Sequence, residues 1–369
     1  MGNASKVKNC RPVCVFRLTK LLKSRQMPNP HINRLVVAVD LDSHEVDGRS
    51  KPDEYSFSVW TGAKPGVFDH GFLLGRGGVN HNIFIPKWAR HHINNSLMHL
   101  KAIIFDWAGT VVDFGCLCPV GAFQAAFQEN GIALSAEDIR QFMGIHKREH
   151  ISAILALPMV AAGWQAMHGR NPDGRDVDSL YHSAERRMLE TVAESATLTP
   201  GVADVLALAQ KQNLKIGSTT GYTSPLMERL VPAAAERGYA PDFWIASDQV
   251  PQGRPWPWMI FKNMERLRVC PPSAVVKVGD TVADVEEANR AGVWSVSVVE
   301  SSSLIGRSEA ELSALPEREC HRISQRAAKK LADAGAHFVI KNLSELAATL
   351  EQIEKRLENG QLPPQLVLQ

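Results

Sequence analysis

The sequence predicts an α/β protein with a parallel sheet and a block of helices inserted after the first core strand. Three observations point there. From Lys101 onward, short apolar runs alternate with amphipathic stretches, the pattern of strands joined by helical crossovers. The segment 114–199, between the first two of those runs, is far longer than one crossover needs. With 369 residues, 44% of them apolar, the chain can also bury at least one large core, and its length suggests two or three domains.

In chain order, strands are expected at 102–105, 215–219, 243–246, 275–278, 294–299 and 337–340. The insertion 114–199 has no convincing strand. Ser135-Ala136-Glu137-Asp138 resembles a capping box, and 176–194 has helical apolar spacing, so the insertion is read as a helical cap domain. Pro200-Gly201 marks the return to the core, with proline at a helix start, and the helix near Pro257 uses the same device. The α/β core is thus assigned to 98–113 and 200–358, and 359–369 is a tail.

Residues 1–97 resist this reading, because Gly, Pro, His and Asn are spread through them and no periodicity lasts; only 35–39 looks like a strand. They carry 14 Lys and Arg against 7 Asp and Glu, whereas the remainder carries 27 against 32. Clustered basic residues with interleaved aromatics are lacking, so a disordered or loosely packed basic extension is expected rather than a nucleic-acid-binding arm. Met98 stands just before the first core strand, and a natural start there is the further reading; it would leave 272 residues.

Composition narrows the function. A net charge of +2 argues against a dedicated nucleic-acid binder. No run approaches the roughly 18 apolar residues of a membrane span, and no apolar N-terminal segment ends in a small-residue cleavage site, so a cytoplasmic protein without membrane partners is expected. The six cysteines are too few and scattered for a disulfide scaffold, and Cys10 and Cys14 lack the second pair a zinc site needs.

The strand ends carry the chemistry. The first runs Ile103-Ile104-Phe105-Asp106-Trp107-Ala108-Gly109-Thr110, placing a carboxylate at the edge where open α/β sheets bind ligands. Alone, Asp106 reads equally well as a helix cap. The second ends Gly217-Ser218-Thr219-Thr220-Gly221-Tyr222, whose small residues let backbone N–H groups approach an anion. Gly253-Arg254-Pro255 puts a cation in a tight loop after the third, although an exposed surface arginine is the plain alternative. The fourth ends Gly279-Asp280-Thr281-Val282-Ala283-Asp284, and two acids beside a third would repel unless a hard cation sat among them.

An acid, a hydroxyl, a base and a pair of acids, in that order, resemble the four motifs of the haloacid dehalogenase superfamily across roughly residues 100–350. The resemblance implies a Rossmann-like core in which Asp106 attacks phosphorus and becomes an aspartyl phosphate. It implies Mg2+ held by Asp106, Asp280 and the backbone carbonyl of Ala108, with Asp284 supporting the site. Thr220, Gly221 and Arg254 would bind the phosphoryl oxygens.

One position departs from the commonest pattern. Phosphatases and mutases of the superfamily carry a second Asp two residues after the nucleophile, and here Ala108 stands there. That Asp protonates a leaving oxygen. Its absence suits either an inactive phosphate-binding relative or an enzyme whose leaving group is a carbanion, which needs an electron sink, and a lysine imine is one. The segment Phe142-Met143-Gly144-Ile145-His146-Lys147-Arg148-Glu149-His150 resembles the cap motif of phosphonoacetaldehyde hydrolases. The likeness implies that Lys147 is the Schiff-base lysine, with Met143 and His150 around its amine, Cys116 with Gly115 at the entry to the cap, and Tyr222 at the substrate pocket. His150 and Tyr222 read equally as packing residues. It further implies a small phosphonate as substrate, cleavage of its carbon–phosphorus bond, and a homodimer. A phosphomonoester phosphatase or phosphosugar mutase on the same scaffold is the alternative that Ala108 disfavours.

Overall fold

The computed structural model describes residues 99–364 together with the backbone of four strands nearer the N-terminus. Those strands are β1 (Cys14–Arg17), β2 (Arg34–Asp40), β3 (Ser56–Gly62) and β4 (His70–Phe72), paired antiparallel in that order. They belong to a compact unit spanning 1–84, distinct from the unit 85–369. The expectation of a single strand at 35–39 in an irregular segment is thereby corrected. Short strands separated by Gly- and Pro-rich stretches leave too few alternations to register as periodicity. The rest of the expected extension, the suggested start at Met98 and the last five residues of the tail lie outside the described residues.

The core sheet has six strands: β5 (Ala102–Phe105), β6 (Lys215–Thr220), β7 (Phe243–Ala246), β8 (Val275–Gly279), β9 (Trp294–Val298) and β10 (Phe338–Ile340). Their order is β10-β9-β8-β5-β6-β7, and every pairing is parallel. The α/β expectation is met, with strand ends within one residue of those read from the sequence.

A parallel sheet covered on both faces has strands buried on both faces, and β5 and β8 are buried throughout. Along β5, Ile103 and Phe105 pack into the larger core while Ala102 and Ile104 pack with Ile260, Val275 and Ala288 on the other face. Ile103 and Ile104 are fully buried, which contributes about 1.5–3 kcal/mol each.

Between β5 and β6 the regular structure is helical: Leu117–Gln128, Ala136–Arg140, Lys147–Leu155, Pro158–His168 and Gly174–Thr191, then a short 3-10 turn at Glu194–Ala196 and, back in the core, Val202–Gln212. Ser135 forms the reciprocal cap with Asp138 that its motif promised, and Asp173 does the same with Asp176. Among the described residues no single helix is long and apolar enough to cross a membrane.

The sheet order fixes where a ligand can bind. The chain leaves β5 for β6 on one side and returns to β8 on the other, so the carboxyl end of β5 lies at the point where strand order reverses, where α/β sheets bind ligands. Asp106 leaves β5 there, donating its backbone N–H to the Val278 carbonyl at 2.8 Å.

Candidate active site

Three carboxylates converge at this edge. Asp106, Asp280 and Asp284 are all buried, and each presents an oxygen within 4.8 Å of the others. Asp280 accepts from the Ser303 backbone N–H at 2.9 Å and the Thr110 hydroxyl at 3.3 Å. Those bonds do not offset its surroundings. Burial, then the Asp106 and Asp284 charges, push its carboxyl well above the ordinary range. Asp284 is equally buried, but Arg254 and Lys277 outweigh that burial and hold it below its usual value. Gly109 leaves the space that Asp280 fills, since a Cβ there would stand 2.6 Å from the Asp280 carboxylate.

Arg254 is not a surface arginine. It is 1% exposed, with Nη2 on Asp106 at 2.7 Å, Nη1 on Asp284 at 3.0 Å and Nε on Glu287 at 2.9 Å. Burial opposes its charge, yet these three acids keep it firmly protonated. Lys277, also buried, lies 2.7 Å from Asp284. The cluster therefore sets four buried carboxylates, Glu287 included, against the two cations Arg254 and Lys277. A divalent cation among Asp106, Asp280 and Asp284 would balance the difference, and an all-oxygen donor set suits a hard ion.

The helical insertion supplies the opposite wall. Lys147, at the first turn of Lys147–Leu155, is 3% exposed with its Nζ 5.2 Å from the centre of the Tyr222 ring. Burial lowers its pKa, the nearby Cys116 and Asp106 opposing. Lys147, Met143, Gly144 and Cys116 meet Asp106, Ala108, Thr220, Gly221, Tyr222, Arg254 and Thr281 around one cleft of about 280 Å³ including its open mouth. A cap lysine and a core aspartate thus share one partly enclosed space.

His150 is placed differently. It is fully buried behind Lys147, one helical turn on, with its ring edge-on to Phe123 at 4.8 Å and its Nε2 2.7 Å from the Ile139 carbonyl. It does not line the cleft. Burial, then the Lys147 charge, lowers its pKa to about 3, so the imidazole is neutral and Nε2 donates to Ile139. Its Nδ1 has no hydrogen-bond partner among the described residues.

Comparison with known proteins places this geometry. A family model for haloacid dehalogenase-like hydrolases matches residues 100–292. Phosphonoacetaldehyde hydrolase of Nitratidesulfovibrio vulgaris is 42% identical over 264 residues, 72% of this chain and 94% of the relative. The enzyme of the same name from Syntrophobacter fumaroxidans is 41% identical over 72% of this chain and 95% of its own length. The chain belongs to the phosphonoacetaldehyde hydrolase family of haloacid dehalogenase-like hydrolases. A crystal structure of a phosphonoacetaldehyde hydrolase-like protein from Oleispira antarctica superposes with a TM-score of 0.70 at 34% identity, over 72% of this chain and 96% of that one.

This hydrolase draws on residues that sequence reasoning passed over. Glu287 and Lys277 complete the buried charge cluster, Thr110 and Ser303 hold Asp280, and Thr281 and Gly144 line the cleft. Glu287 had one usable signal, since it lies three residues after Asp284 and so on the same helix face. Ser303 had none.

Proposed function

We propose that this hydrolase cleaves phosphonoacetaldehyde to acetaldehyde and phosphate through a lysine imine and an aspartyl phosphate, with Mg2+ at the three carboxylates. The observation that carries the reading is a buried lysine amine in the same cleft as Asp106, with Ala108 where an acid for an oxygen leaving group would stand. Asp106, the Ala108 carbonyl and Asp280 would hold the ion, with Asp284 in support; when bound it neutralises phosphonate charge. Thr220, Gly221 and Arg254 orient the phosphonate.

In this reading Lys147, its pKa lowered by burial, adds in its neutral form to the aldehyde carbon, and the adduct takes up a proton and loses water to leave a protonated imine. A carboxylate oxygen of Asp106 then attacks phosphorus. The carbon–phosphorus bond breaks, and its electron pair moves into the iminium to give an enamine on Lys147. Protonation of the enamine carbon and hydrolysis of the imine release acetaldehyde, and water releases phosphate from Asp106. Tyr222, its ring against the amine and burial keeping its hydroxyl protonated, lines the aldehyde side. His150, neutral and outside the cleft, supports the lysine's helix. Two copies per molecule belong to the same reading, and light scattering tests that part.

Borohydride added with phosphonoacetaldehyde should inactivate the enzyme and leave a secondary amine on Lys147, located by peptide mass analysis. Lys147→Arg keeps the charge but cannot form the imine, so it should bind inorganic phosphate and hardly turn over. An active arginine variant with no adduct would instead favour a phosphatase.

A further inference from the structure

Arg254 lines the cleft with its Nη2 on Asp106 and its Nη1 on Asp284, while its Nε bonds Glu287, which is not among the lining residues. We infer that Glu287 is a positioning residue: its carboxylate fixes the plane of the Arg254 guanidinium so that Nη1 and Nη2 face the phosphoryl site. The inference rests on the reading of Arg254 as a phosphoryl ligand.

Glu287 is fully buried, on the helix Val282–Ala291 that also carries Asp284. Its Oε2 accepts from Arg254 Nε at 2.9 Å and from the Thr219 hydroxyl at 3.2 Å, and Lys277 Nζ lies 3.9 Å away. Thr219 in turn accepts from Arg254 Nη2 at 2.6 Å. A guanidinium is rigid and planar, so a hydrogen bond at Nε leaves the fork one orientation instead of a rotation about its last side-chain bond. Asp106 and Asp284 also bind the fork, yet both stand at the proposed metal site. When a cation draws on those acids and phosphate on the fork, Glu287 remains as the charged partner, with the Thr219 hydroxyl beside it. A buried ion pair is poor evidence for stability by itself, because desolvation offsets its attraction. Holding a fork in place is a role that does not depend on net stabilisation.

Two variants separate reach from charge. Glu287→Gln keeps an acceptor oxygen at the same reach and loses the charge; Glu287→Asp keeps the charge and draws it back by one methylene. Binding of inorganic phosphate to the full-length protein in Mg2+ is measured by calorimetry, alongside steady-state kinetics. Glu287 Oε1 has no hydrogen-bond partner among the described residues, so the buried amide of the glutamine variant should cost a little, about threefold in phosphate affinity. The aspartate variant should lose about tenfold or more, and its KM should rise more than its kcat falls. Greater loss in the glutamine variant, equal loss in both, or unchanged binding in both would overturn the proposal. Should the aspartate variant fail to fold, the Arg254 Nε–H resonance decides: it must be protected from exchange in the parent and in Glu287→Gln, and rapid exchange in either sinks the idea. Arg254→Lys is the control for the underlying reading. If that variant binds phosphate like the parent, Arg254 itself is misassigned, whatever Glu287 does.

Discussion

His150 folds as a neutral imidazole, and this makes the protein sensitive to acid. Its folded pKa of about 3 lies below the ordinary 6.5, so the stability it contributes is present above pH 6.5 and is lost as pH falls toward 3. At about 1.4 kcal/mol per unit, the full effect is a few kcal/mol. Asp113 runs the other way: burial raises it to about 6 against the Leu117 and Cys118 N–H groups it caps, so its contribution is present below pH 3.8 and fades as pH rises through 6. Comparing His150→Leu with the parent cancels Asp113. The variant should be less stable by about 1 kcal/mol at neutral pH, with the Ile139 carbonyl unpaired, and should lose less on acidification. Melting curves from pH 7 to pH 4 with equally steep acid limbs would contradict this. Asp280 yields a second prediction. An amide there removes one of three crowded carboxylates, so Asp280→Asn should melt higher than the parent in chelator, gain nothing from Mg2+, and lose turnover by orders of magnitude. A Mg2+-dependent rise in its melting temperature would refute the metal assignment. The placing of Asp106, Thr220 and Asp280 at one sheet edge was legible because each ends or directly follows a strand-like run, whereas Arg254 lies in a loop well past β7 and read equally as a surface arginine. Glu287 and Ser303 were not legible, because their partners lie far off in sequence, 68 residues for Thr219 and 23 for Asp280.

The loop before the helix Lys147–Leu155 is seated on the core through glycine. Gly144 has φ 96°, a left-handed value that costs other residues about 1–2 kcal/mol, and a Cβ on it would overlap the Thr281 hydroxyl. Gly221 repeats the contact from the core side, where a Cβ would stand 2.7 Å from the Ile145 carbonyl. Gly144→Ala should therefore keep the insertion's helices but hold it off the core, raising KM and cutting kcat together by about tenfold or more, as expected for residues that let a lid close. Circular dichroism like the parent's with unchanged kinetics would show that the loop can move aside. The six core strands were legible from short buried apolar runs. The seating glycines were not, since nothing in a Phe-Met-Gly-Ile run says which surface approaches it.

At the scale of the molecule, the relatives are matched over nearly their whole length by 72% of this chain, and the family model begins at residue 100. The unit 1–84 is a separate compact body. A chain begun at Met98 should accordingly fold and retain its substrate affinity and turnover; aggregation, or a clear rise in KM, would count against it. The strands of that first unit were largely illegible, whereas the helical character of 114–199 was plain from its length and caps. The division of the cleft between two parts of the chain has a further consequence. Lys147 is carried by the insertion and Asp106 by the sheet, and it is burial in the cleft they share that lowers the amine's pKa. Were the two parts to separate, that burial would be lost and the amine would return toward its ordinary basicity. If Lys147 acts as proposed, a stray aldehyde that met the cleft open would face a more basic amine, and so a less reactive one, than a substrate enclosed with Asp106.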